Sequence, residues 1–182
     1  LRSAHYGNGE LLALALPLFT AVPVSVSVKP QQNTYADTLL NAYRTRTGNA
    51  LICMCRAARD IVRLLSEGKA IALLADQSAT ADKDIFVPFF GRPAATYEAP
   101  AALALRFNAP IVMGFAERQQ DGSYIVDLHR IPHEDLAYDS EGITELTRRH
   151  VAMLEEAVRK RPDLWVWQHR RWKHRPPVEE VV

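Results

Sequence analysis

From Leu11 to Phe19 the chain is continuously apolar, and Gly7-Asn8-Gly9 lies just ahead of that run. The pattern predicts a helix capped by Asn8 with Glu10 in its first turn. Val22 to Val28 then alternates as Val-Pro-Val-Ser-Val-Ser-Val, the period of a strand. Thr34 to Arg46 and Arg56 to Glu67 carry helical spacing, the second ending at Gly68. Ala70 to Ala75 is a short apolar run typical of a buried strand, with Asp76 at its C-terminal end. An Ala-rich helix is expected over Thr96 to Phe107, punctuated by Asn108-Ala109-Pro110 before a strand over Ile111 to Glu117. Asp121-Gly122 marks a hairpin turn into Tyr124 to His129. A long amphipathic helix from Ile143 to Arg161 turns Leu146, Val151, Met153, Leu154 and Val158 mainly inward and stops at Pro162. Alternating strands and helices favour an α/β architecture with a central, mostly parallel sheet flanked by helices.

The length of 182 residues, 48% of them hydrophobic, is enough for one sizeable core and too little for two, so a single domain over 1–182 is expected. A net charge of +1 supplies no global field for nucleic acid. Cys53 and Cys55 are the only cysteines; a Cys-x-Cys pair is not expected to bridge to itself, and the two suggest a reducing compartment and small residues at a buried strand or helix start. No run approaches the roughly 18 to 20 apolar residues of a membrane-spanning helix.

Chemistry concentrates at His5-Tyr6-Gly7-Asn8-Gly9-Glu10. Residues five apart on a continuous helix diverge by roughly 140°, so His5 and Glu10 meet only if the chain turns between them. Gly7 and Gly9 supply the backbone freedom for such a turn. A carboxylate in the first turn of a helix is favourably placed by the helix dipole. It can hold one imidazole nitrogen while the other removes a proton from an attacking hydroxyl. The alternative is a structural histidine beside an ordinary capping turn.

The hexapeptide resembles the His-x-x-x-x-Asp/Glu motif of glycerolipid-type acyltransferases, and most closely that of the bacterial late acyltransferases of lipid A biosynthesis. That family's motif usually reads His-x-Gly-Asn-Trp-Glu; Gly9 replaces the Trp here. Similar segments follow in order: Tyr43-Arg44-Thr45-Arg46, Leu73-Leu74-Ala75-Asp76-Gln77, Val87 to Thr96, and Trp165 to Lys173. The resemblance implies a glycerolipid acyltransferase-like fold in which His5 is the base and Glu10 orients it. It places Arg44 and Arg46 near a phosphorylated glycolipid acceptor, and Asp76 at the border of the active site. It implies acyl carrier protein as the acyl donor, a lipid A precursor as the acceptor, no cofactor, and work at the cytoplasmic face of the inner membrane. Another glycolipid or a lysophospholipid is the alternative acceptor; an inactive, basic lipid-binding fragment is the alternative of a different class. In the family a strand, a helical region and an N-terminal anchor precede the motif. Because the chain opens on Leu1, a piece lacking them is expected.

Arg56, Arg59 and Arg63 share one helix face, which would serve an anionic head group or an acidic carrier protein, or would simply be solvated. All three tryptophans lie between Trp165 and Trp172 among Arg170, Arg171, Lys173 and Arg175. This mixture suits an anionic membrane interface or single-stranded nucleic acid, and the resemblance favours the membrane, with no nucleic-acid partner. Core filling by Trp165 and Trp167 as an alternating strand is the third reading, expected to hold for at least one of them. There is no Gly-x-Ser-x-Gly elbow and no phosphate-loop Gly-Lys-Ser/Thr, and His169 and His174 lack the neighbours of a zinc site, so no metal is expected.

Overall fold

A computed structural model describes residues 2–79 and 85–176. The chain resolves into two compact units, one made of Leu1–Leu74 and Ile111–Arg130, the other of Ala75–Pro110 and Ile131–Val182.

The first unit is built on β1 (Arg2–Ser3), α1 (Gly9–Thr20), β2 (Val24–Val28), α2 (Thr34–Thr45), β3 (Ala50–Cys53), α3 (Ala57–Ser66) and β4 (Ala70–Leu74). Two later strands join it in a six-stranded sheet of order β3-β2-β4-β1-β7-β8: β7 (Ile111–Arg118) and β8 (Tyr124–Ile131). The pairs β3/β2, β2/β4, β4/β1 and β1/β7 are parallel. The tight turn between β7 and β8, where Gln119 N donates to Ser123 O, reverses the chain and makes the sheet mixed. The α/β class therefore stands, but the expected central, mostly parallel sheet holds only in part: the sheets are small and mixed, with parallel pairs in the first unit and an antiparallel pair apart from them. β1 contributes just two residues, its register running Arg2 to Leu73 and Ser3 to Leu74.

Helix α1 packs Leu12 and Leu16 against Ala116 of β7, with Val126 of β8 alongside. Its interior Pro17 lacks the N–H that would satisfy the carbonyl of Ala13. Buried Asn49 replaces it: its Nδ2 donates to Ala13 O at 2.7 Å while its Oδ1 accepts from Val24 N at 3.0 Å. One amide thus ties α1 to the start of β2. Helix α3 buries Ile61 and Leu64, whereas α2 buries no residue fully.

The second unit contains a hairpin of β5 (Ile85–Phe89) and β6 (Arg92–Thr96), then α4 (Ala99–Phe107) and α5 (Ser140–Lys160). The helix expected from Thr96 starts instead at Ala99, and Thr96 closes β6. The hairpin is hidden in the sequence because Pro88 and Pro93 interrupt it; the two prolines face each other in the register. Phe90 (φ 51°) and Gly91 (φ 71°) both take the left-handed conformation of a tight two-residue hairpin turn. Helix α5 packs on β5 and α4, burying Leu146, Val151, Leu154 and Val158 as its periodicity required, while Met153, expected with them, is half-buried.

Two local expectations are overturned. Trp165 and Trp167 do not alternate along a strand, since Trp165 makes only an isolated bridge after the 3-10 turn at Pro162–Leu164 and Trp167 lies in a turn; core filling holds for Trp165, which is buried, and not for the exposed Trp167. Cys53 and Cys55 are joined as a disulfide, which removes them as an argument for a reducing compartment. The chain passes from extended backbone at Cys53 straight into a 3-10 turn over Met54–Arg56, bringing the two Cα atoms to 5.3 Å, within bridging range.

Candidate active site

The His5 to Glu10 segment runs out of β1 along β7. Ser3 Oγ donates to Gly114 O at 2.7 Å, Gly7 forms a parallel bridge with Ala116, and Asn8 N donates to Ala116 O at 3.0 Å. Buried Tyr6 sets its ring edge-on to Phe115 and donates its hydroxyl to Glu117 Oε1 at 2.7 Å. These contacts hold the half-buried His5 in a bend between two anchored neighbours.

Gly7 has a φ of 59°, and a Cβ there would collide with the carbonyl of Ala116, so the turn requires glycine twice over. Gly9 is different: it is the first residue of α1, and a Cβ there would meet Leu74 only at ordinary contact distance. Asn8 caps the helix, its Oδ1 accepting from Leu11 N at 2.9 Å.

Glu10 points to α2. Arg44 Nε donates to Glu10 Oε2 at 2.8 Å and Nη2 donates to Glu10 Oε1, a two-pronged ion pair. The Arg44 side chain is 11% exposed and that of Glu10 53%. The hydrogen bond to Glu10 holds the Arg44 pKa above its ordinary value. Arg46, just past the end of α2, is exposed. The structure thus brings Glu10 and Arg44 together, and leaves Arg46 with its side chain in solvent.

Asp76 belongs to the second unit and is 6% exposed. Its Oδ2 accepts from Trp165 Nε1 at 3.0 Å, and it interacts electrostatically with Arg171. Two residues on, Ser78 N donates to His169 Nε2 at 2.8 Å. The loop after β4 is thus tied to the Trp165 to Trp172 segment.

The family model of the bacterial lipid A biosynthesis acyltransferases matches residues 1–174. The chain belongs to that family. No curated protein matches it. Family membership makes the protein a transferase of acyl groups in lipid A biosynthesis, with a lipid A-type acceptor. Among the described residues no helix is long and apolar enough to cross a membrane.

Within this lipid A acyltransferase the Trp-rich basic segment is only partly a surface. Arg171 is 2% exposed, donating from Nη1 to Ala95 O at 2.5 Å and from Nη2 to Thr96 Oγ1 at 2.6 Å. Its guanidinium lies over the Phe89 ring, and burial pushes its pKa down to about 10. Trp165 is buried edge-on to Phe89, and Trp172 stacks on the same ring. Trp167, Arg170, Lys173 and Arg175 are exposed. Counting basic residues could not separate Arg171 from its neighbours, because only the hairpin it anchors to makes it internal. Asn49 was also missed; the available signal was Pro17, four residues after a helical carbonyl that needs a donor.

Proposed function

We propose that the protein transfers a fatty acyl chain from an acyl-carrier-protein thioester to a hydroxyl of a phosphorylated lipid A precursor. His5 removes the proton from the acceptor hydroxyl as the oxygen attacks the thioester carbon; the carbon–sulfur bond then breaks and the leaving thiolate takes the proton back from the imidazolium. Glu10 orients His5 and stabilises its charged form. Arg46, exposed beside the helix whose Arg44 meets Glu10, holds the acceptor phosphate, and buried Asp76 shapes the loop after β4. The Asn8 N–H is committed to Ala116, so the developing oxyanion is held by other donors near the first turn of α1. The family match over residues 1–174 carries the reading. The His5 to Glu10 turn, pinned to β7 and capped by Asn8, supports the roles within it.

The full-length protein is proposed to work at the cytoplasmic face of the inner membrane, its exposed Trp167, Arg170, Lys173 and Arg175 meeting anionic head groups. The direct test supplies purified full-length protein with labelled acyl chains on acyl carrier protein or on coenzyme A, against a lipid A precursor or a lysophospholipid. Transfer from the carrier protein to the lipid A precursor is expected. Preferential transfer to lysophospholipid would replace the acceptor assignment, and preference for the coenzyme A thioester would replace the donor.

A further inference from the structure

We infer that Arg44 is a positioning residue, acting on the chemistry by fixing the carboxylate plane of Glu10 and not by gripping the acceptor. The inference deepens the reading of Glu10 as the group that orients His5 and rests on it. Arg44 reaches both oxygens of Glu10, the Nε contact measuring 2.8 Å. Its remaining terminal nitrogen, Nη1, donates to Asn41 Oδ1 at 3.2 Å. Asn41 is fixed in turn, its Nδ2 donating to Asp37 Oδ2 at 2.9 Å, and Asp37 Oδ1 accepts from Gln31 N at 2.8 Å.

Residues 37, 41 and 44 follow the i, i+4, i+7 spacing of one helix face, so α2 carries a chain of side-chain hydrogen bonds ending on Glu10. Such a chain restricts rotation of a carboxylate that is otherwise half exposed. A carboxylate has about four acceptor sites, and the two taken by Arg44 leave others for an imidazole N–H. By contrast, an arginine with Nε, Nη1 and Nη2 all engaged by protein, and its side chain 11% exposed, presents little of its fork to a phosphate. The exposed Arg46 has that freedom.

The test is steady-state kinetics of the full-length enzyme in detergent, with acyl carrier protein thioester and lipid A precursor varied separately. Arg44→Gln is expected to lower kcat by roughly 10- to 100-fold, the scale of a misplaced catalytic group, with acceptor KM unchanged within about twofold. Arg44→Lys, which keeps the charge and loses the fork, should recover part of that loss. Asn41→Ala should lower kcat in the same direction by less, and these two variants carry the test if Arg44→Gln does not fold. In a Glu10→Gln background, Arg44→Gln should cost nothing further, because the group it acts through has already been altered. An acceptor KM that rises while kcat holds, or losses that multiply in the double variant, overturns the inference. If Glu10→Gln turns over like the wild type, the dyad itself fails. If Glu10→Gln is crippled and Arg44→Gln is not, only the role of Arg44 fails.

Discussion

Arg171 shows how far a single residue's environment can depart from what its neighbours in sequence suggest. It stands in a run of exposed cations, yet its guanidinium is enclosed by Phe89, Ala95 and Thr96. Removing it takes one of two donors from the Ala95 carbonyl, which keeps Ala79 N, takes the Arg171 donor from the buried Thr96 hydroxyl, and removes the cation that interacts with buried Asp76. Arg171→Met should therefore destabilise the protein by ~2–4 kcal/mol despite its similar bulk, measurable by chemical denaturation. Arg170→Met, next to it and exposed, should change stability negligibly. A second residue-scale prediction concerns Asp135, held by the fork of Arg149, whose Nη1 donates to it at 2.8 Å. The Arg149 hydrogen bond lowers the Asp135 pKa from 3.8 to about 2. The folded value lies below the unfolded one, so this contribution is present above about 3.8 and is lost as pH falls through about 2. Asp135→Asn should lower the melting temperature at neutral pH, and its difference from wild type should disappear across that acid window. A difference that persists below it would assign the effect to packing.

At the scale of elements, α1 is where local sequence and long-range structure meet. Its start was legible, since Asn8 caps it and a glycine precedes the cap, both strictly local signals. Gly7→Ala should derange the motif turn even if the protein folds, because the added methyl collides with Ala116 on the neighbouring strand. Loss of transfer activity with largely retained helicity by circular dichroism is the expected outcome, and normal activity would contradict the pinned geometry. The repair of the Pro17 break was not legible, because Asn49 reaches Ala13 across 36 positions of sequence. Asn49→Leu should cost ~2–4 kcal/mol, leaving a buried carbonyl at Ala13 and a buried N–H at Val24 without partners. The β5/β6 hairpin escaped for the opposite reason: its prolines and alanines weaken the strand pattern, and its pairing becomes visible only through the register of Pro88 against Pro93.

Across the whole molecule, periodicity was sufficient for the α/β class and for most helices, since these depend on spacing within a dozen residues. It could not divide the chain into its two units, because each draws on segments separated in sequence: Ile111–Arg130 returns to the first and Ile131–Val182 to the second. The His5 to Glu10 motif is read from the sequence by resemblance, whereas the pairing of Glu10 with Arg44 spans 34 positions and belongs to the fold. The central proposal is that this member of the lipid A acyltransferase family transfers an acyl chain to a lipid A precursor through His5. The most direct measurement is mass spectrometry of lipid A from cells lacking the gene and carrying either the full-length wild type or its His5→Ala variant. The wild type is expected to restore a species heavier by one acyl chain, while His5→Ala leaves the underacylated precursor. Equal restoration by both proteins would contradict the account.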